Sequence, residues 1–203
     1  MTPEDTALIL IGFQNDYFAQ NGILRSAIEE TSQQTNVLPN TLGLVEKVAQ
    51  TEVPIISTPI IFTPDYSELI DPVGILAAIA DAGAFKADTH GSETIPELQA
   101  FGDRITEVPG RRGLNAFSNT DLDTLLAARG VTNVVLAGVV TSICIDSTGR
   151  SAFDRGYRVQ ILSDCTCGRT QYEQDFYCSE VFPLYAEVIS SEDLLANILT
   201  PVG

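Results

Sequence analysis

The stretch TNVVLAGVVTSICIDSTGRSAFDRGY, residues 132–157, decides the predicted fold. Its apolar run at residues 134–137 is typical of a strand that is buried on both faces of a parallel sheet. A parallel strand must be followed by a crossover, and residues 143–154, interrupted only by Gly149, are predicted to form the crossover helix. Either Thr141 or Ser142 is expected to cap that helix through its hydroxyl group.

Cys144 falls in the first turn of this predicted helix. Unpaired backbone N–H groups and the positive end of the helix dipole both favour the thiolate form of a thiol at such a position. Since the thiolate is the reactive form of cysteine, the stretch predicts that Cys144 is a nucleophile.

The rest of the chain alternates between apolar strands and amphipathic helices. Further strands are predicted at residues 7–11, 53–57, 104–108, 159–162 and 186–189. Helices are predicted at residues 41–50, 74–82, from about 119, 171–181 and 191–199, the last capped by Ser191, and residues 19–40 are mostly assigned to a loop. The alternation predicts a three-layer α/β sandwich, in which a six-stranded, mainly parallel sheet carries helices on both faces. No linker divides the chain, so a single domain over residues 1–203 is expected.

The charge balance excludes some classes of partner. Lys and Arg number 11 against 27 Asp and Glu, a formal net charge of −16, which repels phosphate backbones and anionic membranes. Nucleic acids and membranes are therefore not expected partners. The expected partner is a small-molecule substrate. Because no cationic start precedes an apolar run, and no apolar stretch approaches the roughly 20 residues of a membrane span, a cytoplasmic location is expected.

The cysteines and the single histidine limit metal chemistry. The four cysteines, Cys144, Cys165, Cys167 and Cys178, are expected to be reduced. Cys165 and Cys167 form a Cys-x-Cys pair, either a metal or redox motif or simply two small residues at a strand end; no second Cys or His pair accompanies it. His90, the only histidine, is a surface residue or the sole histidine available to pair with a cysteine, and a multi-histidine metal site is excluded.

Two loop segments supply candidate pocket residues. Gly12 and Gln14 follow the first predicted strand, where open parallel sheets place ligand groups. Tyr17 is equally a candidate pocket wall and a candidate core aromatic. Arg111 and Arg112, after a Pro-Gly turn, form either a solvated pair or an electropositive wall of a pocket.

Three segments, taken together, resemble a known superfamily. They are LILIGFQNDYF at residues 8–18, PGRRGLNAFSNTDLDTLL at residues 109–126, and AGVVTSICIDSTGRSAFDRGYRVQILSD at residues 137–164. The third is the most specific, because GVVTSIC fits a Gly-Val-x-Thr-x-x-Cys pattern. In this order they resemble the isochorismatase-like cysteine hydrolases, which include nicotinamidases, N-carbamoylsarcosine amidohydrolase and ureidoacrylate amidohydrolase, and the resemblance spans nearly the whole chain. It implies a parallel sheet flanked by helices.

The resemblance also implies a site. Cys144 takes the position of the nucleophile, a cis peptide bond is expected between Val139 and Val140, and the N–H groups of Val140 and Cys144 are expected to form the oxyanion hole. The Lys of the superfamily's Asp-Lys-Cys triad falls on Arg111, which keeps the positive charge, and the triad Asp falls on Gly12. The predicted pocket residues are Gly12, Gln14, Tyr17, Asn115 and Phe117.

The missing acid leaves three hypotheses about function. The first is a cofactor-free cysteine hydrolase of a small amide or related acyl substrate, acting through an acyl-enzyme on Cys144. The second is a catalytically impaired member that binds a small molecule or a protein, and the third hydrolyses a vinyl ether of the isochorismate type. The resemblance further implies a homo-oligomer, and no metal is expected because residues 58–65 lack histidine. The group that replaces the Asp, and the roles of His90 and Arg112, stay open.

Overall fold

The computed structural model describes residues 2–199. Within this range six strands form one sheet, in the order β3-β2-β1-β4-β5-β6 and with every neighbouring pair parallel. The strands are β1 (Thr6–Ile11), β2 (Ile55–Thr58), β3 (Ile105–Glu107), β4 (Asn133–Val139), β5 (Arg158–Cys167) and β6 (Glu187–Ile189). The prediction of a six-stranded α/β sheet is confirmed, and the sheet is parallel throughout these residues.

The α-helices of the same range lie between the strands and after the last one. They are α1 (Asn15–Phe18), α2 (Glu29–Thr35), α3 (Val37–Val48), α4 (Gly74–Ala82), α5 (Pro96–Gln99), α6 (Leu122–Ala128), α7 (Asp146–Asp154), α8 (Gln171–Phe176) and α9 (Ser191–Leu199). A π-helical turn, Thr141–Ile145, precedes α7, and another, Tyr177–Val181, continues α8.

Side-chain alternation along β1 places helices on both faces of the sheet. Ile9 and its alternate neighbours pack in one apolar cluster with residues of α6 and α7. Leu8 and Leu10 pack in a second cluster with residues of α3 and α9. Because β1 is buried over its whole length, its sequence is apolar at successive positions, as expected for a central parallel strand. The three-layer sandwich is therefore confirmed.

The predicted loop at residues 19–40 contains a helix, so that assignment is wrong. Residues 29–35 form α2, of which only Thr31 is buried, so the segment has no apolar period to reveal a helix. Asn36 then adopts a left-handed conformation, with φ of 54°, and separates α2 from α3. Helix α3 begins at Val37, earlier than predicted, and tolerates Pro39 because the proline lies in the first turn.

Other bounds differ from the prediction by one to three residues, and the cap of α9 and the end of β5 differ as well. Ser190, not Ser191, caps α9: its hydroxyl oxygen accepts the N–H of Asp193 at 3.1 Å. The hydroxyl of Ser191 instead donates to Asp164 at 2.6 Å. Strand β5 continues past the predicted end at residue 162 to Cys167, which allows it to pair with β4 as far as Val139.

Helix α8 offers a test of the local structure. Thr170 is its N-cap, and the Thr170 side chain accepts the N–H of Glu173 at 3.1 Å. Thr170→Ala is expected to lower the free energy of unfolding by about 1 kcal/mol, the usual value of such a cap. Chemical denaturation measures the change.

A matched control is Asp121→Ala, because Asp121 occupies the N-cap position of α6 but makes no capping hydrogen bond. Its free energy of unfolding is expected to stay within about 0.5 kcal/mol of the parent protein. Equal losses in the two variants would contradict the assigned cap.

Candidate active site

The carboxyl ends of β1 and β4 meet at the centre of the sheet, and they come together through backbone atoms. Gly12, directly after β1, has a φ of 75°, and a Cβ atom there would lie 2.7 Å from the carbonyl oxygen of Val139. The peptide bond between Val139 and Val140 is cis. In this backbone geometry a side chain at position 12 would collide with the Val139 carbonyl oxygen.

Cys144 lies in the π-helical turn Thr141–Ile145 rather than in a regular first turn of α7. The carbonyl oxygen of Val140 accepts the N–H groups of Ile143 at 3.0 Å and Ile145 at 3.2 Å, and it does not accept that of Cys144. π-Helical turns of this kind are frequent at functional sites. The Cys144 side chain is almost fully buried, with 6% of its surface exposed.

Thr141 and Ser142 do not cap a helix, contrary to the prediction. The Thr141 hydroxyl donates to the side-chain oxygen of Gln174 at 2.5 Å, and the Ser142 hydroxyl donates to Glu173 at 2.6 Å. Both acceptors lie on α8. Because the chain turns through a π-helix here, the two hydroxyls point to a neighbouring helix and fix the turn that carries Cys144 against it.

Arg111 is a buried cation held by carbonyl oxygens. Only 1% of its surface is exposed. Its guanidinium donates to the backbone carbonyls of Gly113 at 3.0 Å, Thr58 at 2.9 Å and Leu114 at 3.2 Å. Within residues 2–199 it forms no ion pair. Its positive charge is therefore not neutralised by a carboxylate of the described chain.

Cys144 and Arg111 line one small cavity at the carboxyl edge of the sheet. Its volume is about 10 Å³, roughly the room that one water molecule needs. Of the predicted site residues, Gly12, Tyr17, Arg111 and Cys144 meet here. The other lining residues are apolar: Ile60, Ile75, Ile79, Phe85, Leu114, Val139 and Ile143.

Four predicted site residues lie outside this lining: Val140 of the predicted oxyanion hole and the pocket residues Gln14, Asn115 and Phe117. Gln14 is buried, but its amide is used by backbone groups: it donates to the carbonyl of Ile60 at 2.9 Å and accepts the N–H of the same residue at 3.0 Å. Asn115 closes a turn by accepting the N–H of Phe117 at 2.9 Å. The Phe117 ring packs on Tyr157, with ring centroids 6.0 Å apart, because it belongs to the core between the sheet and α6.

His90 and Arg112 also lie away from the cavity lining. The His90 side chain is 64% exposed and contacts Glu93 at 3.3 Å, so it is a surface residue. Arg112 forms an ion pair with Glu68. The two adjacent arginines thus differ in environment: Arg111 points into the protein, and Arg112 binds an acid on the segment before α4.

The other cysteines are poor candidates for a nucleophile. Burial raises the pKa of the Cys165 and Cys167 thiols to about 12. Burial also raises the pKa of the Cys178 thiol to about 11. All three are neutral thiols near pH 7, and they are free cysteines. The Cys-x-Cys pair is fully buried on β5, in agreement with two small residues near a strand end.

The apolar part of the lining was missed from the sequence. Ile75 and Ile79 lie four residues apart on α4, and this spacing identifies one face of a helix. The sequence does not say what that face covers. Phe85 has a φ of 55°, an uncommon backbone conformation that no local pattern predicts.

Two further properties of residues 2–199 concern membranes and metals. No helix in that range is both long and apolar enough to cross a bilayer. The same range contains no group of three or more Cys, His, Asp or Glu side chains placed to hold a metal ion.

The fold and the cavity define a three-layer α/β protein with a candidate cysteine-based active site at the carboxyl edge of its sheet. Comparison with known protein families identifies one family. The model of the isochorismatase domain matches residues 6–193, and the chain belongs to this family.

Individual relatives agree with this assignment. A ureidoacrylate amidohydrolase from Cronobacter sakazakii is 29% identical over 176 residues, which cover 81% of this chain and 75% of the relative. The crystal structure of an isochorismatase-like hydrolase from Alkaliphilus metalliredigens has a TM-score of 0.74 and 26% identity, and covers 95% of each chain. A cysteine hydrolase from Pseudomonas syringae pv. phaseolicola 1448A has the same fold, with a TM-score of 0.81, 23% identity and coverage of 98% of this chain and 94% of its own.

The close approach at Gly12 can be measured. Gly12→Ala is expected to destabilise the protein for two reasons, a positive φ and a Cβ atom 2.7 Å from the Val139 carbonyl oxygen. The positive φ alone costs roughly 1–2 kcal/mol. Overpacking adds about 1–3 kcal/mol. The free energy of unfolding from chemical denaturation measures the sum.

Gly130→Ala is the matched control, because Gly130 has a φ of 68° and a Cβ atom there would meet open space, with nothing beyond its chain neighbours within 4 Å. It isolates the cost of the backbone conformation. Gly12→Ala is expected to lose at least about 1 kcal/mol more than Gly130→Ala. Equal losses would show that the ends of β1 and β4 are not in tight contact.

Proposed function

We propose that the protein is a hydrolase that opens a C–N bond of a small amide, or a related acyl bond, through an acyl-enzyme on Cys144. The observation that carries the proposal is the shared cavity of Cys144 and the buried Arg111. Membership of the isochorismatase domain family and the name of the ureidoacrylate amidohydrolase relative support hydrolysis of C–N bonds.

In this proposal the sulfur of Cys144 attacks the carbonyl carbon of the substrate. Arg111 attracts the negative charge on the sulfur, and in a buried site this attraction is little screened by salt. The N–H groups of Cys144 and Val140 receive the negative charge that develops on the carbonyl oxygen. The Val140 carbonyl accepts the N–H groups of Ile143 and Ile145 but not that of Cys144. This supports the role, because the Cys144 N–H is not used by that carbonyl and can bond to a substrate oxygen.

The cavity also sets limits on the substrate. Its small volume and largely apolar lining favour a small acyl group over a large or highly charged one. Because no Asp, Glu or His side chain of residues 2–199 lines it, another group must supply the proton that an amide nitrogen needs in order to leave.

The nucleophile is tested by thiol labelling. Iodoacetamide near pH 7 is expected to modify Cys144 alone, because burial keeps Cys165, Cys167 and Cys178 as neutral thiols. Mass spectrometry of the digested protein locates the label. Cys144→Ala is expected to abolish both labelling and hydrolysis of small amides, ureidoacrylate among them.

Cys178→Ala is the control, since Cys178 is the one other thiol that is not fully buried. It is expected to keep full labelling and activity. Labelling of Cys144 no faster than that of a free model thiol, together with activity that survives Cys144→Ala, would overturn the proposal and favour a binding protein.

The electrostatic role of Arg111 is tested against its neighbour. Arg111→Met removes the buried charge and is expected to slow iodoacetamide labelling of Cys144 by at least about tenfold, which corresponds to about 1.4 kcal/mol. Arg112→Met removes a charge that pairs with Glu68 outside the cavity lining, and is expected to change the rate less than about twofold. Equal slowing in both variants would contradict a specific effect of Arg111.

A further inference from the structure

The proposed reaction needs a proton donor at the leaving nitrogen, and the cavity offers a single candidate. Of the lining side chains within residues 2–199, only Tyr17, Arg111 and Cys144 are titratable. A guanidinium does not release its proton in proteins. Since Cys144 is the proposed nucleophile, Tyr17 is the remaining group with a proton to give.

The environment of Tyr17 leaves its hydroxyl available. The residue is 6% exposed, and its ring lies against that of Phe85 with centroids 5.2 Å apart and planes tilted by 53°. Within the described chain, burial and nearby charges are the main influences on the pKa of Tyr17. Its hydroxyl forms no hydrogen bond there. Because Tyr17 lines the cavity and its hydroxyl has no hydrogen-bond partner in the described chain, the hydroxyl is free to bind a ligand there.

Asp16, the adjacent acid in the sequence, is already engaged. Its Oδ2 atom accepts the N–H of Phe85 at 2.6 Å. Gly91 packs on it so closely that a Cβ atom there would lie 2.2 Å from Oδ1. Asp16 does not line the cavity. It fixes the backbone of Phe85, whose ring lies against that of Tyr17.

We propose that Tyr17 is a catalytic residue, which donates its phenolic proton to the leaving nitrogen and later recovers a proton from the attacking water. This proposal rests on the function proposed above. Tyr17 would thereby replace the acid that is missing at Gly12.

The two half-reactions balance without another reactant. In the first, the sulfur of Cys144 bonds to the carbonyl carbon, the C–N bond breaks, and the nitrogen keeps the electron pair and takes the Tyr17 proton. The products are a thioester, an amine and a Tyr17 phenolate. In the second, water oxygen bonds to the same carbon, its proton goes to Tyr17, and the C–S electron pair returns to sulfur as thiolate. The net reaction is amide plus water to acid plus amine.

Burial and the neighbouring charges act on the Tyr17 hydroxyl in opposite directions, and Arg111 is the group that favours its phenolate form. Burial and the negative charge of Cys144 raise the pKa of Tyr17, Arg111 lowers it, and Cys167 and Asp16 raise it further. When the sulfur becomes part of a thioester, its negative charge disappears. The sulfur then no longer raises the pKa of Tyr17, while Arg111 still lowers it. A single negative charge thus moves from sulfur to the Tyr17 oxygen and back, always beside the buried guanidinium.

The experiment compares the parent protein with Tyr17→Phe on two matched probes, p-nitrophenyl acetate and 4-nitroacetanilide. Both carry an acetyl group, but the nitrophenolate leaves without a proton and the nitroanilide nitrogen requires one. Tyr17→Phe is expected to acetylate Cys144 from the ester within about threefold of the parent rate. Hydrolysis of the anilide is expected to fall roughly 10²–10⁴-fold.

Loss of the acetyl group from Cys144, followed by mass spectrometry after a pulse of the ester, supplies a readout that does not require anilide turnover. The acetyl form is expected to persist much longer in Tyr17→Phe than in the parent protein. Tyr66→Phe is the control, because the Tyr66 hydroxyl donates to the Ala84 carbonyl at 2.7 Å and Tyr66 does not line the cavity. It is expected to behave like the parent protein.

Each other outcome overturns the assignment. Equal deacylation rates in the parent protein and Tyr17→Phe would exclude Tyr17 as the group that takes the water proton. Equal slowing of acetylation from both probes would reduce it to a packing role. Absence of acetylation at Cys144 in the parent protein would instead reject the proposed function itself.

Discussion

The backbone contact between the ends of β1 and β4 governs the candidate site. Ile11 pairs with Gly138, and a Cβ atom at Gly138 would lie 1.9 Å from the Ile11 carbonyl oxygen. One residue further along each strand, Gly12 meets the carbonyl of Val139 in the same manner. Since glycine alone fits at these positions, the strands close on each other and bring the turn that carries Cys144 against the end of β1. The same closeness removes any side chain that could extend from position 12 into the cavity.

The second constraint is a positive charge kept inside the protein. Removing a guanidinium from water is costly unless its donors are satisfied, and three backbone carbonyls accept hydrogen bonds from Arg111. These carbonyls supply partial negative charge but no neutralising ion. A planar fork with five N–H donors can reach all three acceptors, which a lysine ammonium at the same position would not do with the same geometry. Arg111 lines the same cavity as Cys144, so the positive charge that remains lies at the candidate site.

Much of the fold could be predicted from the sequence, because burial leaves a periodic signal. Helices α4 and α9 have the predicted ends, since their apolar faces and flanking residues are local features. Helix α2 could not be predicted in this way, because Thr31 is its one buried residue. Cys144 is predicted as a nucleophile from its place at the start of a helix and Arg111 as one possible wall of a pocket, and the superfamily resemblance adds a role for each. The contacts of Ile75 and Phe85 with the cavity could not be predicted from the sequence. They join segments about 60 residues or more from Cys144 and leave no local pattern.

The size of the cavity has a consequence for access to Cys144. With room for roughly one water molecule, the cavity as it stands has no space for an acyl group beside the sulfur, and Ile75 and Ile79 of α4 are part of the lining that limits it. The segment before α4 is tied down by the ion pair between Glu68 and Arg112. Although burial raises it, hydrogen bonds from Thr63 and Arg112 hold the pKa of Glu68 at about 2, so this pair stays charged at physiological pH. Because Arg112 follows Arg111 directly, the residue that pairs with Glu68 and the residue that places a positive charge in the cavity are neighbours on the backbone.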